Sequence, residues 1–213
     1  MKSIKEAMLL YAVTDRHFTG ERTLLEQVEE ALGGGATCIQ LREKKLDEDL
    51  FLREALEIKE LCHQYKVPFI INDNVELAIK CGADGVHVGQ DDMQVQKVRA
   101  LTGKSMIVGV SAQTVEQAVR AEKNGADYLG VGAVFSTSTK PDADRGSYNS
   151  LKDICSMVSI PVCAIGGITK SNMKELKGSG VDGVALVSAI FGAENIKEEC
   201  LELKMLSQKL VKP

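Results

Sequence analysis

Short hydrophobic runs alternate with amphipathic stretches along the chain. Four of the runs open alike, as GATCIQLRE from Gly35, GADGVHVGQ from Gly82, GADYLGVGA from Gly125 and GVDGVALVS from Gly180. In each, a glycine that ends a helix is followed by a small residue and by a run rich in Val, Ile or Leu, which is typical of a buried parallel strand. The segments are too far apart for a single strand–helix unit to fill each interval.

Four further strand-like runs lie between these segments, LLYAVTD at 9–15, VPFIIND at 67–73, SMIVGVS at 105–111 and IPVCAIGG at 160–167. The gaps hold stretches such as LLEQVEEAL and TVEQAVRAEKN, whose apolar residues recur at intervals of three and four and predict helices. Eight strands that alternate with helices in 213 residues predict an α/β fold, a compact (β/α)8 TIM barrel with a parallel sheet.

The chain is predicted to form a single domain over 1–213, because no linker, low-complexity tract or block of charge divides it. The main alternative is a doubly wound sheet. That fold would normally carry a GxGxxG motif after its first strand, where this chain has YAVTDRHF. The barrel therefore fits the pattern better.

Composition narrows the class of protein. A hydrophobic fraction of 44% with 26% charged residues is ordinary for a soluble protein, and no apolar run is long enough to span a membrane. A net charge of −4 argues against a broad surface for nucleic acid or for anionic membranes. The apolar AMLLYAV run lacks a signal-peptide cleavage site and the six cysteines form no CxxC pair, so we expect a cytoplasmic protein with free thiols. The sequence leaves the oligomeric state open, a homo-oligomer included.

In a (β/α)8 barrel the site lies at the carboxyl ends of the strands, and the polar residues of this chain concentrate there. In QLREK, the side chains of Gln40, Arg42 and Lys44 alternate and are predicted to face the barrel interior if Leu41 packs outward. The fork of an arginine and the point charge of a lysine suit a phosphate or a diphosphate. The alternative is that these cations pair with Glu43 or with a neighbouring strand.

Two carboxylates end neighbouring strands. Asp73 ends IIND and Asp92 belongs to GQDD, so the two are predicted to converge on one hard cation, with water and phosphate oxygens completing its shell. Asp91 and Asp92 are alternatively helix N-caps for the stretch DMQVQKVRAL, a common role for aspartate. A third interpretation is that one aspartate caps the helix while the other binds the metal.

Glycines and a serine end the last two strands, as Gly166-Gly167 and Val187-Ser188. The loops after strands seven and eight of such barrels often bind phosphate through backbone N–H groups, which predicts a phosphate site here. Simple turns are the alternative for either pair alone. Both pairs together are more specific.

The segment FSTSTKPDA ends the sixth strand with a cluster of hydroxyls and a lysine, Ser136 to Lys140. The hydroxyls are suited to donate to a carboxylate or phosphate, and Lys140 to stabilise a departing anion. The alternative is a polar loop, and the PDADRGSYN that follows is typical of a lid. The three histidines are weak signals, and His87, inside VHV, is predicted to be a buried barrel residue.

Seven motifs resemble, in order, those of the thiamine-phosphate synthase (thiamine-phosphate pyrophosphorylase) family. They are YAVTDR, QLREK, INDN with ADGVHVGQDD, GVSA, GVGAVFSTSTK, IPVCAIGGI and GVALVSAIF, and they span residues 10 to about 192. The resemblance implies a (β/α)8 transferase that joins hydroxymethylpyrimidine diphosphate to a carboxylated thiazole phosphate, with release of diphosphate and carbon dioxide. It also implies a magnesium cofactor and a cationic pyrimidine intermediate that forms when diphosphate leaves.

The resemblance assigns three groups of residues. Gln40 to Lys44, Asn72, Ser111 and Lys140 are implied to bind the pyrimidine diphosphate, with Lys140, Ser111 and Arg42 serving catalysis; Asp73 and Asp92 are implied to bind magnesium; and Thr137, Ser138, Thr139, Gly167, Val187 and Ser188 are implied to bind the thiazole phosphate.

Two positions depart from the family pattern. Gln113 follows GVSA where the family commonly has histidine, and PDADRGSYNS replaces a continuation richer in lysine and proline. Gln113 counts against the thiazole tautomerases, which share the fold and use a histidine in that stretch. Two further functions fit the pattern less well, a barrel that only binds a thiamine precursor and a different phosphate-binding barrel such as an isomerase. Neither would need the carboxylate pair beside Arg42.

Overall fold

The computed structural model describes residues 3–135 and 148–211. The strands in these ranges are β1 Leu10–Val13, β2 Cys38–Leu41, β3 Phe69–Asn72, β4 Gly85–Val88, β5 Ile107–Ala112, β6 Tyr128–Val131, β7 Val162–Ile165 and β8 Gly183–Leu186. The helices are α1 Ile4–Ala7, α2 Leu24–Gly33, α3 Glu48–Gln64, α4 Val75–Cys81, α5 Val95–Thr102, α6 Val115–Lys123, α7 Tyr148–Met157, α8 Ser188–Phe191 and α9 Ile196–Val211. Short 3₁₀ helices span Arg16–Phe18 and Met173–Leu176.

The eight strands form one closed parallel barrel in which each strand pairs with its neighbours in sequence order and β1 also pairs with β8. The prediction of a (β/α)8 barrel is therefore confirmed. Between β7 and β8 the structure differs from the predicted alternation of strands with α-helices, because a 3₁₀ helix, Met173–Leu176, lies there. The strands are also shorter than the predicted runs, since the polar ends of those runs lie in loops.

Side chains alternate between the inside of the barrel and the layer under the helices, as the period of a strand requires. Along β2, Cys38 belongs to the interior cluster, whereas Ile39 and Leu41 pack in the larger cluster between strands and helices. Ala7 at the end of α1 and the following Met8 join the interior cluster, so α1 packs against the barrel at the end opposite the polar strand ends. The described part of the chain contains no helix long and apolar enough to cross a membrane.

The four similar segments share a hydrogen bond that explains why they are similar. The third residue of each segment precedes an even-numbered strand, and its side chain accepts a backbone N–H at or near the start of the odd-numbered strand before it. The pairs are Thr37 with Leu10 at 2.7 Å, Asp84 with Phe69 at 2.9 Å, Asp127 with Val108 at 2.8 Å and Asp182 with Val162 at 2.9 Å. The repeat therefore secures the amino-terminal face of the barrel, the face associated with stability and not with chemistry.

Candidate active site

A cavity of 440 Å³ opens at the carboxyl ends of the strands. Among the residues that the family resemblance assigns to the site, those that line it are Gln40, Arg42, Asn72, Ser111, Gly167, Val187 and Ser188. These residues come from several different strands or the loops after them, so the fold brings together side chains that are far apart in sequence. Thr137, Ser138, Thr139 and Lys140 lie outside the described residues.

The basic residues lie in the loop after β2. Since β2 ends at Leu41, the alternation that places Gln40 inside the barrel does not extend as a strand to Arg42 and Lys44. Arg42 nevertheless lines the cavity, and its backbone N–H donates to Thr14 Oγ1 at 3.0 Å, which fixes the start of the loop.

Both cations pair with carboxylates of neighbouring strand ends. Arg42 lies 3.6 Å from Asp15 Oδ2, and Lys44 is bonded to Asp73. The alternative of pairing with Glu43 is wrong, because Glu43 instead pairs with Arg16 at 3.0 Å. The alternative of pairing with a neighbouring strand is borne out, so an anion that binds here would have to compete with these carboxylates.

Asp73 follows β3 in the left-handed backbone conformation, at φ +61°, a region that aspartate tolerates better than most residues. Its backbone N–H donates to the carbonyl of His87 at 2.8 Å, which fixes this loop against β4. Asp92 accepts the backbone N–H of Gly89 at 2.7 Å. Backbone hydrogen bonds at the ends of β3 and β4 thus hold both carboxylates in place.

The two carboxylates meet beside the cavity, outside its lining. Burial, followed by the nearby Asp73 carboxylate, raises the pKa of Asp92 above its ordinary value. The alternative of helix capping is wrong, since α5 begins at Val95 and is preceded by Gln94. Asp91 lines the cavity, which the sequence reasoning did not anticipate.

The carboxylate pair fits a hard divalent cation. Two adjacent carboxylates that repel each other supply the oxygen ligands that magnesium prefers. In the described residues no group of three or more His, Cys, Asp or Glu side chains is arranged to hold a metal. Magnesium bound at a carboxylate pair usually completes its shell with water and with phosphate oxygens of a substrate.

Gly166, after β7, allows this part of the chain to lie close to Ala133, which follows β6. Gly166 and Gly167 have φ of +98° and +65°, which favours glycine, and a Cβ on Gly166 would lie 2.6 Å from the Cα of Ala133. The carbonyl of Gly167 accepts a hydrogen bond from Asn172 at 2.9 Å, which orders the loop. Ser188 begins α8 and lines the cavity together with Gly167 and Val187, so the three residues predicted to form a phosphate site lie at the same cavity.

Three polar residues at the floor of the cavity, Tyr11, His87 and Tyr128, were not anticipated as part of a site. Tyr11 and Tyr128 lie in the interior cluster, and their hydroxyls are 2.7 Å apart. His87 is buried, as predicted, yet it also lines the cavity and lies 3.0 Å from Ser111 Oγ. In the sequence, these three residues are recognisable as inward-facing positions of β1, β4 and β6. Hydrophobic periodicity alone predicts core residues at such positions.

Gln90 connects the loop that carries Asp92 to β5 and to α6. Its Nε2 donates to the carbonyl of Ser111 at 2.6 Å, and its Oε1 accepts from Arg120 at 2.9 Å. Gln113 also lines the cavity, and its backbone N–H donates to Gln117 Oε1 at 2.7 Å. The departure at Gln113 therefore lies at the site itself.

Comparison with known proteins agrees with the motifs. A sequence profile described as Thiamine monophosphate synthase matches residues 10–190. The thiamine-phosphate synthase of Clostridium beijerinckii is 50% identical over 92% of this chain and 93% of its own length, and that of Clostridium acetobutylicum is 48% identical over 89% and 90%. A solved thiamine phosphate pyrophosphorylase from Pyrococcus furiosus superposes with a TM-score of 0.92 at 37% identity, covering 99% of this chain and 100% of that one.

These matches extend over nearly the whole barrel, and the profile alone spans all eight strands. The resemblance predicted from the motifs is confirmed: the chain belongs to the thiamine monophosphate synthase family.

Proposed function

We propose that this protein joins hydroxymethylpyrimidine diphosphate to a carboxylated thiazole phosphate, with release of diphosphate and carbon dioxide, to give thiamine phosphate. Relatives named thiamine-phosphate synthase that share 48% and 50% of their residues with it confirm the prediction of this activity, and with it that of a transferase. The predicted class of partner, small molecules, agrees with the family.

The observation that carries the proposal is the convergence of opposite charges at one rim. Arg42, Lys44 and the pair of Asp73 and Asp92 lie at the carboxyl ends of β2, β3 and β4, and Arg42 lines the 440 Å³ cavity. A diphosphate would find both a cationic fork and a metal bound by two carboxylates there. A barrel that only bound a neutral ligand would not gain from ionised groups held so close together.

Magnesium held by Asp73 and Asp92 would supply positive charge at the oxygens of the departing diphosphate. Lys44 is paired with Asp73 in this structure. When a cation replaces Lys44 at Asp73, the lysine would be available to bind the diphosphate. Arg42 would bind the same anion with its planar fork. Such a reaction needs donors and charge near the leaving group, and no side-chain nucleophile.

The remaining predicted residues divide between the two substrates. Asn72 and Gln40 line the deeper part of the cavity and would contact the pyrimidine, while Ser111 would donate to the departing diphosphate. Gly167, Val187 and Ser188 would hold the thiazole phosphate through backbone N–H groups. Thr137, Ser138, Thr139 and Lys140 are assigned to the thiazole phosphate and to the leaving group by resemblance alone.

The main rival activity, thiazole tautomerisation, is disfavoured by Gln113. A carboxamide cannot exchange a proton near neutral pH as an imidazole does. Gln113 lines the cavity, so the position that carries histidine in those relatives is at the site in this chain too. An isomerisation that depends on that histidine would lack its proton carrier.

The test is an assay with both substrates and magnesium in which diphosphate release and thiamine phosphate are measured together. We expect stoichiometric formation of the two products and no reaction when either substrate is omitted. Isomerisation of the thiazole phosphate without diphosphate release would identify a tautomerase. Tight binding of either substrate with no product would identify a binding protein.

A further inference from the structure

A continuous line of hydrogen bonds crosses the barrel at the floor of the cavity. Gln40 Nε2 donates to the Tyr11 hydroxyl at 2.6 Å, and the hydroxyls of Tyr11 and Tyr128 are 2.7 Å apart. Tyr128 lies 3.0 Å from His87 Nδ1, and His87 Nε2 lies 3.0 Å from Ser111 Oγ. Several strands therefore contribute to a path that begins and ends at residues lining the cavity.

The two tyrosines in the middle of this path are almost completely buried. Tyr11 and Tyr128 are 2% and 0% exposed, and burial raises the pKa of both phenols well above the ordinary value, so each remains a neutral hydroxyl. In a dry interior each of these groups needs a partner for its hydrogen. The direction of each bond therefore constrains the next one.

Counting hydrogens along the path selects one direction. Since the Gln40 amide donates to Tyr11, the Tyr11 hydrogen is available for Tyr128, and the Tyr128 hydrogen is then available for His87 Nδ1. In the opposite direction Tyr11 would accept from both sides. Among the hydrogen bonds that the structure describes for the Tyr11 hydroxyl, none would then take its own hydrogen.

The backbone leaves room for this arrangement. A Cβ on Gly109 of β5 would overlap the Tyr128 ring and its hydroxyl, and would lie 2.5 Å from His87 Nδ1. A Cβ on Gly130 of β6 would lie 3.1 Å from His87 Cε1. The bond between Tyr128 and His87 thus occupies space that two strands provide by carrying glycine at these positions.

We propose that Tyr11 and Tyr128 are positioning residues that hold His87 as the tautomer with hydrogen on Nε2. His87 then donates to Ser111 Oγ, which leaves the Ser111 hydroxyl hydrogen free to donate into the cavity. In the other tautomer Ser111 would direct that hydrogen to His87 Nε2. The consequence for catalysis rests on the proposed function, in which Ser111 donates to the departing diphosphate; the tautomer itself does not.

The tautomer is measured directly by ¹⁵N NMR of the imidazole rings in histidine-labelled protein. The chain has three histidines, so the His87 signals are identified by their loss in His87→Asn. We expect hydrogen on Nε2 in the parent protein. Hydrogen on Nδ1 would overturn the proposal before any variant is compared.

Two matched variants locate the cause, since each removes one buried hydroxyl. Tyr128→Phe should lower the population with hydrogen on Nε2, because Nδ1 loses its donor. Tyr11→Phe should lower that population less, because Tyr128 can still donate to His87 although the Tyr11 hydrogen no longer directs it to do so. Thermal unfolding of both variants reports any common loss of stability, and an unchanged tautomer in folded Tyr128→Phe would contradict the assignment.

Kinetics connect the tautomer to the reaction. Tyr128→Phe should lower kcat for diphosphate release about 10-fold, as is typical for residues that orient a catalytic group, while KM for the thiazole phosphate stays unchanged. Because a loss of folded protein would also lower the apparent kcat at an unchanged KM, kcat is calculated per folded molecule, and a corrected kcat equal to that of the parent would contradict this link. Absence of coupling in the parent would count against the proposed function alone, and the NMR result would stand.

Discussion

The carboxylate of Asp84 accepts a hydrogen bond from the backbone N–H of Phe69 at 2.9 Å, so the residue that precedes β4 secures the start of β3. The Asp84 side chain is only 12% exposed. Removing it leaves a backbone donor without its partner, which costs about 1–3 kcal/mol. We expect Asp84→Ala to lower the free energy of unfolding by about this amount, measured by urea denaturation.

The control is Asp153→Ala in α7, where the aspartate is exposed. This change should alter the free energy of unfolding by less than about 0.5 kcal/mol. Equal effects of the two substitutions would show that the repeated hydrogen bond does not stabilise the barrel.

The buried tyrosines predict a loss of stability at alkaline pH. Burial raises the pKa of Tyr11 and Tyr128 well above 10.0 in the folded protein, whereas both ionise near 10.0 when the chain unfolds. Above that pH the unfolded state binds fewer protons than the folded one. Stability is therefore fully present below pH 10 and falls as the pH rises further.

Absorbance of phenolate during an alkaline titration checks this. The chain has four tyrosines, of which Tyr65 and Tyr148 are 41% and 37% exposed. We expect two to ionise reversibly and two to ionise only as the protein unfolds. Reversible ionisation of all four in folded protein would contradict the burial of the pair.

Hydrophobic periodicity was sufficient to predict the barrel, because every strand is an apolar run and every interval carries a helical pattern or a short turn. It could not explain why four segments begin alike. The reason lies in hydrogen bonds such as that of Asp182 with Val162, and these join residues that are distant in sequence. The sequence shows that an aspartate or a threonine recurs at the third position of each segment. It does not show that this side chain accepts a hydrogen bond from the backbone of another strand.

The candidate site was predictable to the extent that strand ends could be identified. Gln40, Asn72 and Ser111 follow from that rule, and all three line the cavity. Tyr11 and Tyr128 could not be distinguished from core residues, because their hydroxyls find partners only across the barrel. The interpretation of Asp92 as a helix cap was wrong, since the loop continues to Gln94 before α5 begins.

Gly167 provides a test of the phosphate site. Its φ of +65° strains any other residue, and a side chain there would approach a phosphate held by the loop backbone. We expect Gly167→Ala to raise KM for the thiazole phosphate, with KM for the pyrimidine diphosphate unchanged, in steady-state assays.

Gly178→Ala is the control, since Gly178 has φ +81° and, among the described residues, a Cβ there would meet only the Tyr148 hydroxyl, at 3.6 Å. Both variants should lose similar stability from backbone strain. If Gly178→Ala raises KM for the thiazole phosphate equally, strain rather than phosphate contact is the cause.

Lys140 provides a test of the leaving group. The resemblance assigns it to the diphosphate, and a cation that acts where negative charge develops contributes more to the transition state than to binding. We expect Lys140→Ala to lower kcat on the order of 10²-fold with a smaller change in the dissociation constant of the pyrimidine diphosphate, measured by calorimetry. An intact kcat with a raised KM would make Lys140 a binding residue only.

The carboxylate pair separates the proposed reaction from its rivals. Replacing Asp92 by asparagine preserves an oxygen that can accept from Gly89, but removes charge and a ligand from the cation site. We expect diphosphate release to fall by about 10²-fold or more, and a chelator to abolish activity in the parent protein.

The stability of the same variant follows from the pKa of Asp92. Because this pKa is raised in the folded protein, ionised Asp92 destabilises the fold at neutral pH, so Asp92→Asn should unfold at the same temperature as the parent or slightly higher. A lost activity in a fully stable variant then assigns the effect to the cation site. A tautomerase would continue to isomerise thiazole phosphate in chelator, and a binding protein would retain its ligand. Full coupling by Asp92→Asn would refute the metal assignment and remove the observation that carries the proposed function.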